Sequence, residues 1–243
     1  MKIVKLDAIN STNSFLKEMV KEESTDNWTI VSTDFQTSGR GQLHTKWFSF
    51  KAKNLLFSVL IRFDNFEVSK QFYLNCAVSL GIYKALEKYN IPNLSVKWPN
   101  DIMADKKKLG GILIENTIQN SKIKYAVVGV GININQDYFP EYLSKAISIK
   151  EILKKDLDRD QILMEIINSI QKYIEQLENE EYDVLKNEYE QVLFKNGLPQ
   201  MFEDQLHNRF QGIITGVSEE GKLRVEMEDE SIKEFGFKEI KFL

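Results

Sequence analysis

Two apolar segments with paired glycines stand close together in the middle of the chain, KLGGILIE over 108–115 and YAVVGVGINI over 125–134. Their β-branched content predicts strands, and the Asn120-Ser121 pair between them predicts a tight turn, so the two strands should pair as an antiparallel hairpin. Glycine weakens a strand unless another group must approach its backbone. A glycine pair in each strand therefore indicates that something packs closely against this part of a sheet.

Other elements are predicted on both sides of the hairpin. A helix should follow Ser11-Thr12-Asn13, whose side-chain oxygens suit a helix N-terminus. Apolar residues recur at helical spacing over 68–89 and from about 149 to 196, where Asn196-Gly197 predicts a helix end. Further short strands are predicted at residues 2–6, 28–33, 55–63 and 94–98.

After residue 197 the pattern changes to short apolar stretches separated by acidic turns, namely FQGIITGV, KLRVEM and SIKEFGF. Such a pattern predicts a small β-barrel or sandwich. We therefore expect an α+β fold in two domains. Residues 1–196 should form a mixed, largely antiparallel sheet with packed helices, and residues 197–243 a small C-terminal β domain.

Composition excludes several classes of protein. Of the 243 residues, 42% are hydrophobic and 28% are charged, as in an ordinary globular protein, and no apolar run approaches the roughly 18–20 residues that cross a membrane. The single cysteine, Cys76, cannot form an internal disulfide, and the N-terminal apolar run is too short for a signal peptide. A cytoplasmic protein is predicted. The formal net charge of −4 argues against a nucleic-acid partner.

The loop after the second predicted strand, STDFQTSGRGQLHTKWFSF over 32–50, places Arg40 between two glycines. Gly39 and Gly41 let backbone N–H groups approach an anion closely, and the guanidinium adds a planar pair of donors. The spacing matches neither the P-loop nor the dinucleotide-binding fingerprint. An anion site and an ordinary surface turn therefore remain equal alternatives for this loop.

The segment KWPND over 97–101 places Lys97, Asn100 and Asp101 in or beside a turn, because Pro99 favours an extended residue before it. Lys108 follows at the start of an apolar strand, which would hold a lysine at the rim of a cleft. The alternative is a solvated lysine, as most lysines in such a run are.

The strand that ends in GVGININ over 129–135 carries Gly129 and Gly131, and alternation puts Asn133 and Asn135 on one face. Taken alone, this segment fits a core strand crossed closely by a helix. Three glycine-containing segments that met around a few polar groups would instead form a ligand cleft. No isolated histidine, His44 or His207, belongs to a spacing typical of a metal site.

Four motifs in order resemble those of biotin–protein ligases: GRG with Trp47 after five residues, KWPND, KLGGILIE and GVGININ. The leading Ser11-Thr12-Asn13 and Gln36 agree with the same family, and the resemblance covers essentially the whole chain. It implies a catalytic domain of the biotin/lipoate ligase kind with a small C-terminal SH3-like β-barrel. Since the chain begins directly at the catalytic domain, the short form without a DNA-binding domain is expected.

The resemblance implies an enzyme that joins biotin and ATP into biotinyl-AMP and then transfers biotin to one lysine of a biotin carboxyl carrier protein, an acetyl-CoA carboxylase subunit. Mg²⁺ is expected to accompany ATP, with no protein ligand assigned to it. The expected assembly is a monomer or a homodimer, and neither a nucleic acid nor a membrane is an expected partner.

The resemblance also implies roles for individual residues. Lys108 would contact the biotin carboxylate and the α-phosphate, with Arg40 as a second catalytic cation. A fixed ammonium suits this step, because two anions must meet and charge builds on the phosphoryl oxygens. The biotin side would comprise Ser11, Thr12, Asn13 and Gln36, and the closing loop Gly39, Arg40, Gly41 and Gln42. The nucleotide side would comprise Trp47, Gly111 and Asn133, supported by Lys97, Asn100, Asp101, Gly129 and Gly131. For Trp47, a core aromatic remains an equal alternative.

Two positions depart from the family pattern. Gln42 stands where a second arginine is common, and His44 stands where a third glycine is common. Gln42 removes a permanent charge and His44 restricts the backbone, so the loop should still order on binding but should hold biotinyl-AMP less tightly.

Two rival functions are open. A lipoate or octanoyl transferase of the same superfamily would need the lysine but not KWPND and GVGININ in this arrangement. A non-catalytic biotin-binding regulator is opposed by the retention of Lys108, and a DNA-binding one by the acidic balance of the chain.

Overall fold

A computed structural model describes residues 1–22, 24–42 and 45–243 of the chain. The strands of its larger sheet are β1 (Lys2–Leu6), β2 (Thr29–Thr33), β3 (Leu55–Glu67), β4 (Leu94–Lys97), β5 (Asp101–Ala104), β6 (Lys107–Gln119) and β7 (Lys122–Ile132). The α-helices are α1 (Thr12–Glu22), α2 (Gln71–Glu87), α3 (Ile149–Leu153), α4 (Arg159–Glu178) and α5 (Tyr182–Gln191). A smaller sheet contains β8 (Pro199–Asp204), β9 (Arg209–Val217), β10 (Leu223–Met227), β11 (Ile232–Phe235) and β12 (Ile240–Phe242).

The larger sheet has seven strands in the order β1-β2-β3-β7-β6-β5-β4. Only the β1–β2 pair is parallel among these strands, so the prediction of a mixed, largely antiparallel sheet is confirmed. The hairpin between β6 and β7 is also confirmed. Its turn residues Asn120 and Ser121 both have positive φ, 51° and 60°, as a two-residue hairpin turn requires.

The two faces of the larger sheet are covered by different helices. On one face α2 and α4 pack against each other and on the sheet, and Cys76 is fully buried there, as expected of a packing residue. On the other face Leu16 of α1 packs on Val31, Leu60 and Val127. Because side chains alternate along a strand, Gly129 and Gly131 share the face of Val127 and lie beyond the N-terminus of α1.

The prediction that the helical region runs to Asn196-Gly197 is wrong, since α5 ends at Gln191. The segment after it pairs with the sheet edge instead: Val96 N–H donates to Val192 O at 2.8 Å, and Phe194 N–H donates to Val96 O at 2.8 Å. Pairing with β4 outweighs the helical pattern of the sequence because it satisfies the edge strand's backbone. Strands β5, β8 and β12 were not predicted, because β5 and β8 contain at most one β-branched residue and β12 has only three residues.

The smaller sheet has the strand order β11-β10-β9-β8-β12 and only antiparallel pairs among its described strands. It is joined to the rest of the chain by specific contacts. The Trp98 indole N–H donates to Gly221 O at 2.9 Å, and the backbone N–H of Val217 donates to Glu190 at 2.9 Å. These contacts hold β12 beside the KWPND turn. Among the described residues, no helix combines the length and apolar character of a membrane span.

Candidate ligand cleft

A cleft of about 540 Å³ opens on the face of the larger sheet that carries α1. All three glycine-containing segments meet there. The residues singled out from the sequence that line it are Ser11, Thr12, Asn13, Gln36, Arg40, Gly41, Gln42, Trp47, Lys97, Asn100, Asp101, Lys108, Gly111, Gly129 and Gly131. Gly39 lies behind them, where a Cβ would come within 2.8 Å of Trp47 O.

One end of the cleft is lined by the neutral side chains of Thr12, Asn13 and Gln36, with the fully buried Ser58 behind them, and we call these four residues the hydroxyl pocket. The backbone N–H of Thr12 donates to Gln36 Oε1 at 2.8 Å, and the Thr12 hydroxyl lies 3.2 Å from the same oxygen. Ser58 donates to Asn13 Oδ1 at 2.5 Å and lies 2.7 Å from Thr12 Oγ1. Thr12, Asn13 and Ser58 are all buried, so the pocket is a fixed polar network.

Ser58 was not identified from the sequence. It is a lone hydroxyl within the apolar run LLFSVLIRF, and a single polar residue in a buried strand is the signal that would have found it. The pocket also explains Gly129, since a Cβ there would collide with Asn13 Oδ1. The glycine is needed because a side chain, rather than a crossing helix, comes close to the strand.

Trp47 lies against the backbone of Gly111 and Gly131, which face each other across β6 and β7. A Cβ on Gly131 would come within 2.6 Å of Trp47 Cε2, and a Cβ on Gly111 within 3.3 Å of Trp47 Cζ3. Trp47 is half-buried and lines the cleft, so it is not a core aromatic. Its Nε1 and the Oε1 of Gln42 are buried atoms without a hydrogen-bond partner among the described residues.

The other end of the cleft is charged, and we call Lys97, Asp101 and Lys108 together the lysine site. Lys108 Nζ lies 2.6 Å from Asp101 Oδ1 and 5.7 Å from the centre of the Trp47 ring. Lys97 Nζ lies 4.6 Å from the centre of the Phe242 ring. Burial lowers the pKa of Lys97 below its ordinary value, although the nearby Asp101 carboxylate acts in the opposite direction.

Asn100 braces the strand that carries Lys108. Its side-chain amide donates to Ile112 O at 2.7 Å, and its own carbonyl accepts from the Ile112 N–H at 2.9 Å. Both backbone groups of Ile112 in β6 are therefore held by Asn100. The support for the loop and the nucleotide that the sequence resemblance implied for Asn100 stays a prediction.

Cations dominate the cleft lining. The basic side chains are those of Arg40, Lys46, Lys97, Lys108, Lys238 and Lys241. Among the described lining residues, Asp101 is the one acidic side chain, although the chain as a whole has 36 acidic and 32 basic residues. Such a concentration of positive charge in a cleft favours anionic ligands.

Part of the cleft wall comes from the smaller sheet. The sequence predicted this β domain but did not indicate that it lines the cleft. The residues concerned are Phe237, Lys238, Ile240, Lys241 and Phe242. They reach the cleft because β12 is held beside the KWPND turn by the Trp98–Gly221 hydrogen bond. No local sequence signal could place them there, since the partner lies more than a hundred residues away.

Asn133 does not line the cleft, in contrast to the contact with the nucleotide that the sequence resemblance implied. It is buried, its Oδ1 lies 3.3 Å from Asn54 Nδ2, and its amide donates to Ile147 O at 3.2 Å and lies 3.5 Å from Lys108 O. Asn133 therefore supports the backbone of Lys108 from behind. Strand β7 ends at Ile132, one residue before Asn133, so alternation within the strand does not set the direction of this side chain.

His44 lies outside the described residues, so its effect on the loop stays a prediction. His207 is exposed on the smaller sheet, 3.5 Å from Glu203. Within the described ranges, no group of three or more potential metal ligands is present.

Comparison with known proteins defines the class. Residues 6–133 match the Biotin/lipoate A/B protein ligase family, and the chain belongs to this family. It is 27% identical over 226 residues to the bifunctional ligase/repressor BirA of Bacillus spizizenii, covering 92% of this chain and 69% of that protein. It is also 27% identical over 173 residues to the biotin–[acetyl-CoA-carboxylase] ligase of Mycobacterium tuberculosis, covering 70% of this chain and 62% of that protein.

The fold has close counterparts among solved structures. The biotin protein ligase from Aquifex aeolicus in complex with biotin and ATP superposes with a TM-score of 0.81 at 29% identity, covering 100% of this chain and 98% of that one. The smaller sheet is included in that superposition. The whole architecture, and not only the matched family segment, is therefore shared.

Proposed function

We propose that this chain is a biotin–protein ligase. It activates biotin with ATP as biotinyl-AMP, releases pyrophosphate, and transfers biotin to a lysine of a biotin carboxyl carrier protein such as that of acetyl-CoA carboxylase. The observation that carries the proposal is that the hydroxyl pocket, Trp47 and Lys108 all lie beside neighbouring residues of strand β6. Leu113 O accepts from Asn13 of the hydroxyl pocket, and Gly111, two residues earlier, contacts both Trp47 and Lys108. Two residues of a strand span about 7 Å, a distance that one small molecule bridges.

The hydroxyl pocket suits the ureido ring of biotin. A ureido group is neutral and offers two N–H donors and one carbonyl acceptor, and the pocket offers hydroxyl and amide groups of both kinds. Because these groups already bond to one another, their positions are set before the ligand arrives. Ser11, Thr12, Asn13 and Gln36 are the residues that we assign to biotin, and Ser58 holds Thr12 and Asn13 in place from behind.

The lysine site suits the activation step. One oxygen of the biotin carboxylate attacks the α-phosphorus of ATP, the bond to the β-phosphate oxygen breaks, and pyrophosphate leaves. The Lys108 ammonium offsets the repulsion between the two anions and the charge that builds on the phosphoryl oxygens. In the free protein the Asp101 carboxylate holds Lys108, so the incoming anion exchanges with Asp101. Arg40 and Gln42, with Gly39 and Gly41, belong to the loop that covers the adenylate.

The second step is acyl transfer. The amine of the carrier lysine attacks the carbonyl carbon of biotinyl-AMP, an amide bond forms, and AMP leaves with the electron pair of the mixed anhydride bond. This step requires no covalent bond to the enzyme. Lys108 and Arg40 would hold the phosphate of the leaving group, AMP, and the Trp47 indole would contact its base.

The nucleotide would lie between Trp47 and the wall that the smaller sheet supplies. Lys46, Lys97, Lys238 and Lys241 are the described lining cations that remain for the outer phosphates. Since Asp101 is the one acidic side chain of the described lining, Mg²⁺ that enters with ATP would be held mostly by phosphates and water. We assign no further metal ligand.

Further parts of the proposal concern organisation. We divide the chain into a catalytic domain over 1–196 and a C-terminal domain over 197–243, and assign the latter an SH3-like barrel topology. We also assign the protein to the cytoplasm and expect a monomer or homodimer, without a nucleic-acid partner.

The deciding experiment is incubation of the protein with biotin, ATP and a biotin carboxyl carrier domain, followed by detection with labelled streptavidin. We expect ATP-dependent labelling of one carrier lysine. Lipoate in place of biotin, with detection of lipoyl transfer, separates the rival transferase activity. Biotin binding without any biotinyl-AMP, pyrophosphate or labelled carrier would identify a non-catalytic regulator and overturn the proposal.

A further inference from the structure

The side chain of Arg40 leaves its loop and reaches the body of the domain. One guanidinium nitrogen, Nη2, donates to the hydroxyl of Ser14 in α1 at 2.8 Å. The same nitrogen lies 4.0 Å from Glu115 Oε2 in β6. The cation of the GRG loop is therefore held between two elements that do not belong to the loop.

Glu115 has further partners on both of its oxygens. Lys17 Nζ lies 2.9 Å from Oε1, and the Asn13 amide donates to Oε2 at 2.8 Å. The Glu115 side chain is 27% exposed, compared with 41% for the Arg40 side chain. The oxygen that faces Arg40 is thus the oxygen that is held by Asn13, a member of the hydroxyl pocket. One carboxylate connects the pocket to the loop.

Electrostatics favours the ionised form of this carboxylate. Partial burial alone would raise the pKa of Glu115, but hydrogen bonds from Lys17 and Asn13 and the charges of Lys17 and Arg40 outweigh it and lower the pKa below its ordinary value. A half-buried charge with several fixed partners contributes more interaction free energy than an exposed ion pair does. Without it, the Ser14 hydroxyl would be the one remaining partner of the Arg40 side chain among the described residues.

We propose that Glu115 is a positioning residue that holds Arg40, and through Arg40 the loop of residues 39–42, over the hydroxyl pocket, so that biotinyl-AMP is retained until the carrier arrives. This inference rests on the proposed function for its ligand. The attachment of the loop itself depends only on the free protein, and the two parts are tested separately.

The first test needs no substrate. Lys46 is exposed and lies just beyond the loop, and trypsin cleaves after it only when the surrounding backbone opens. Glu115→Gln keeps the shape of the side chain but removes its charge, so cleavage after Lys46 should become roughly five- to tenfold faster. Lys17→Met, which loosens Glu115 without changing it, should give a smaller increase. Equal cleavage of Glu115→Gln and wild type at equal melting temperature would overturn the attachment.

The matched control is Glu87→Gln. It also removes a glutamate charge from an ion pair, with Lys84 at 3.3 Å, but it lies on α2, on the opposite side of the sheet from the cleft. Its cleavage rate should equal that of the wild type. A similar increase in this variant would mean that the effect is one of general stability.

The second test measures the release of biotinyl-AMP made from biotin and ATP on the enzyme. Glu115→Gln should release it roughly five- to tenfold faster, which corresponds to about 1–1.4 kcal/mol, with little change in the rate of its formation. In an Arg40→Ala background the same change should add almost nothing, because Glu115 acts through Arg40. Fully additive effects, or unchanged release, would overturn the retention role. A wild-type protein that forms no biotinyl-AMP would overturn the proposed function, and the trypsin comparison would still decide the attachment.

Discussion

The hydroxyl pocket and the lysine site share one face of the larger sheet, yet their polar groups are satisfied in different ways. In the pocket, neutral side chains are buried and bond to one another, as Ser58, Thr12 and Asn13 do. In the lysine site the ionic side chains are partly exposed, 39% for Lys108 and 24% for Asp101, and they form an ion pair that a ligand can exchange.

The difference agrees with the ligand groups that we propose for the two ends, a neutral ring in the hydroxyl pocket and anions in the lysine site. A neutral ring is recognised best by donors and acceptors that are already in place, because little has to rearrange. An anion needs cations, and unpaired cations in a cleft are costly unless a counter-ion accompanies them. Asp101 supplies that counter-ion in the free protein. The following predictions separate the two ends, from the largest expected effect to the smallest.

Lys108→Ala should remove the lysine site's function and leave the hydroxyl pocket intact. We expect the rate of biotinyl-AMP formation to fall roughly a hundred- to thousandfold, since a charge that develops in the transition state loses its partner. Biotin binding, measured by calorimetry without ATP, should change far less. Lys106→Ala is the control, because this lysine belongs to the same KKK run but is exposed and outside the cleft lining. A Lys108→Ala enzyme that forms biotinyl-AMP at the wild-type rate would refute the assignment.

Gly129→Ala and Gly131→Ala should affect different substrates, although the same substitution is made at positions only two residues apart. A methyl group at 131 meets the Trp47 indole, so ATP affinity should fall roughly tenfold or more, while biotin affinity changes little. A methyl group at 129 meets Asn13, so biotin affinity should fall instead. Binding of each substrate to both variants is the measurement. Loss of the same substrate in both would contradict a division of the cleft at this point.

Gln42→Arg should slow the release of biotinyl-AMP roughly three- to tenfold, because it adds a permanent charge beside the phosphate. The buried Gln42 Oε1 has no described hydrogen-bond partner, so the substitution breaks no hydrogen bond of this oxygen. Dissociation of biotinyl-AMP is followed after dilution into excess unlabelled biotin. Unchanged release would show that this position does not control retention.

Lys97→Met should stabilise the fold slightly and weaken ATP binding a few-fold. Burial lowers the pKa of Lys97 from its usual 10.5, so at neutral pH the folded state carries a charge that it disfavours. Methionine keeps the packing on Phe242, and the melting temperature should rise by about 1–3 °C. As the pH rises through the lowered pKa towards 10.5, the lysine loses its charge in the folded state and the difference should shrink. A difference in melting temperature between the variant and the wild type that grows with pH would contradict a lowered pKa of Lys97.

Much of the site followed from local sequence signals. The glycine pairs marked where other groups approach the sheet, and the structure identifies these groups as Asn13 at Gly129 and Trp47 at Gly111 and Gly131. Strands rich in β-branched residues were found, whereas β5 and β8 were missed because they contain at most one such residue, and β12 because it has only three residues. The helical pattern up to residue 196 was misleading, because its last residues gain more from pairing with β4 than from another helical turn.

The amino-acid sequence by itself determined the kind of chemistry: glycine-bearing strands, a lysine at a strand start, a GRG loop, and the family motifs that join them. Only the tertiary structure decided which side chains contact each other. Ser58 with Thr12, Glu115 with Lys17 and Arg40, and Lys97 with Phe242 each join residues far apart in the chain. Such contacts leave no periodic trace, because each depends on how two distant elements are placed on the sheet rather than on the spacing within either one.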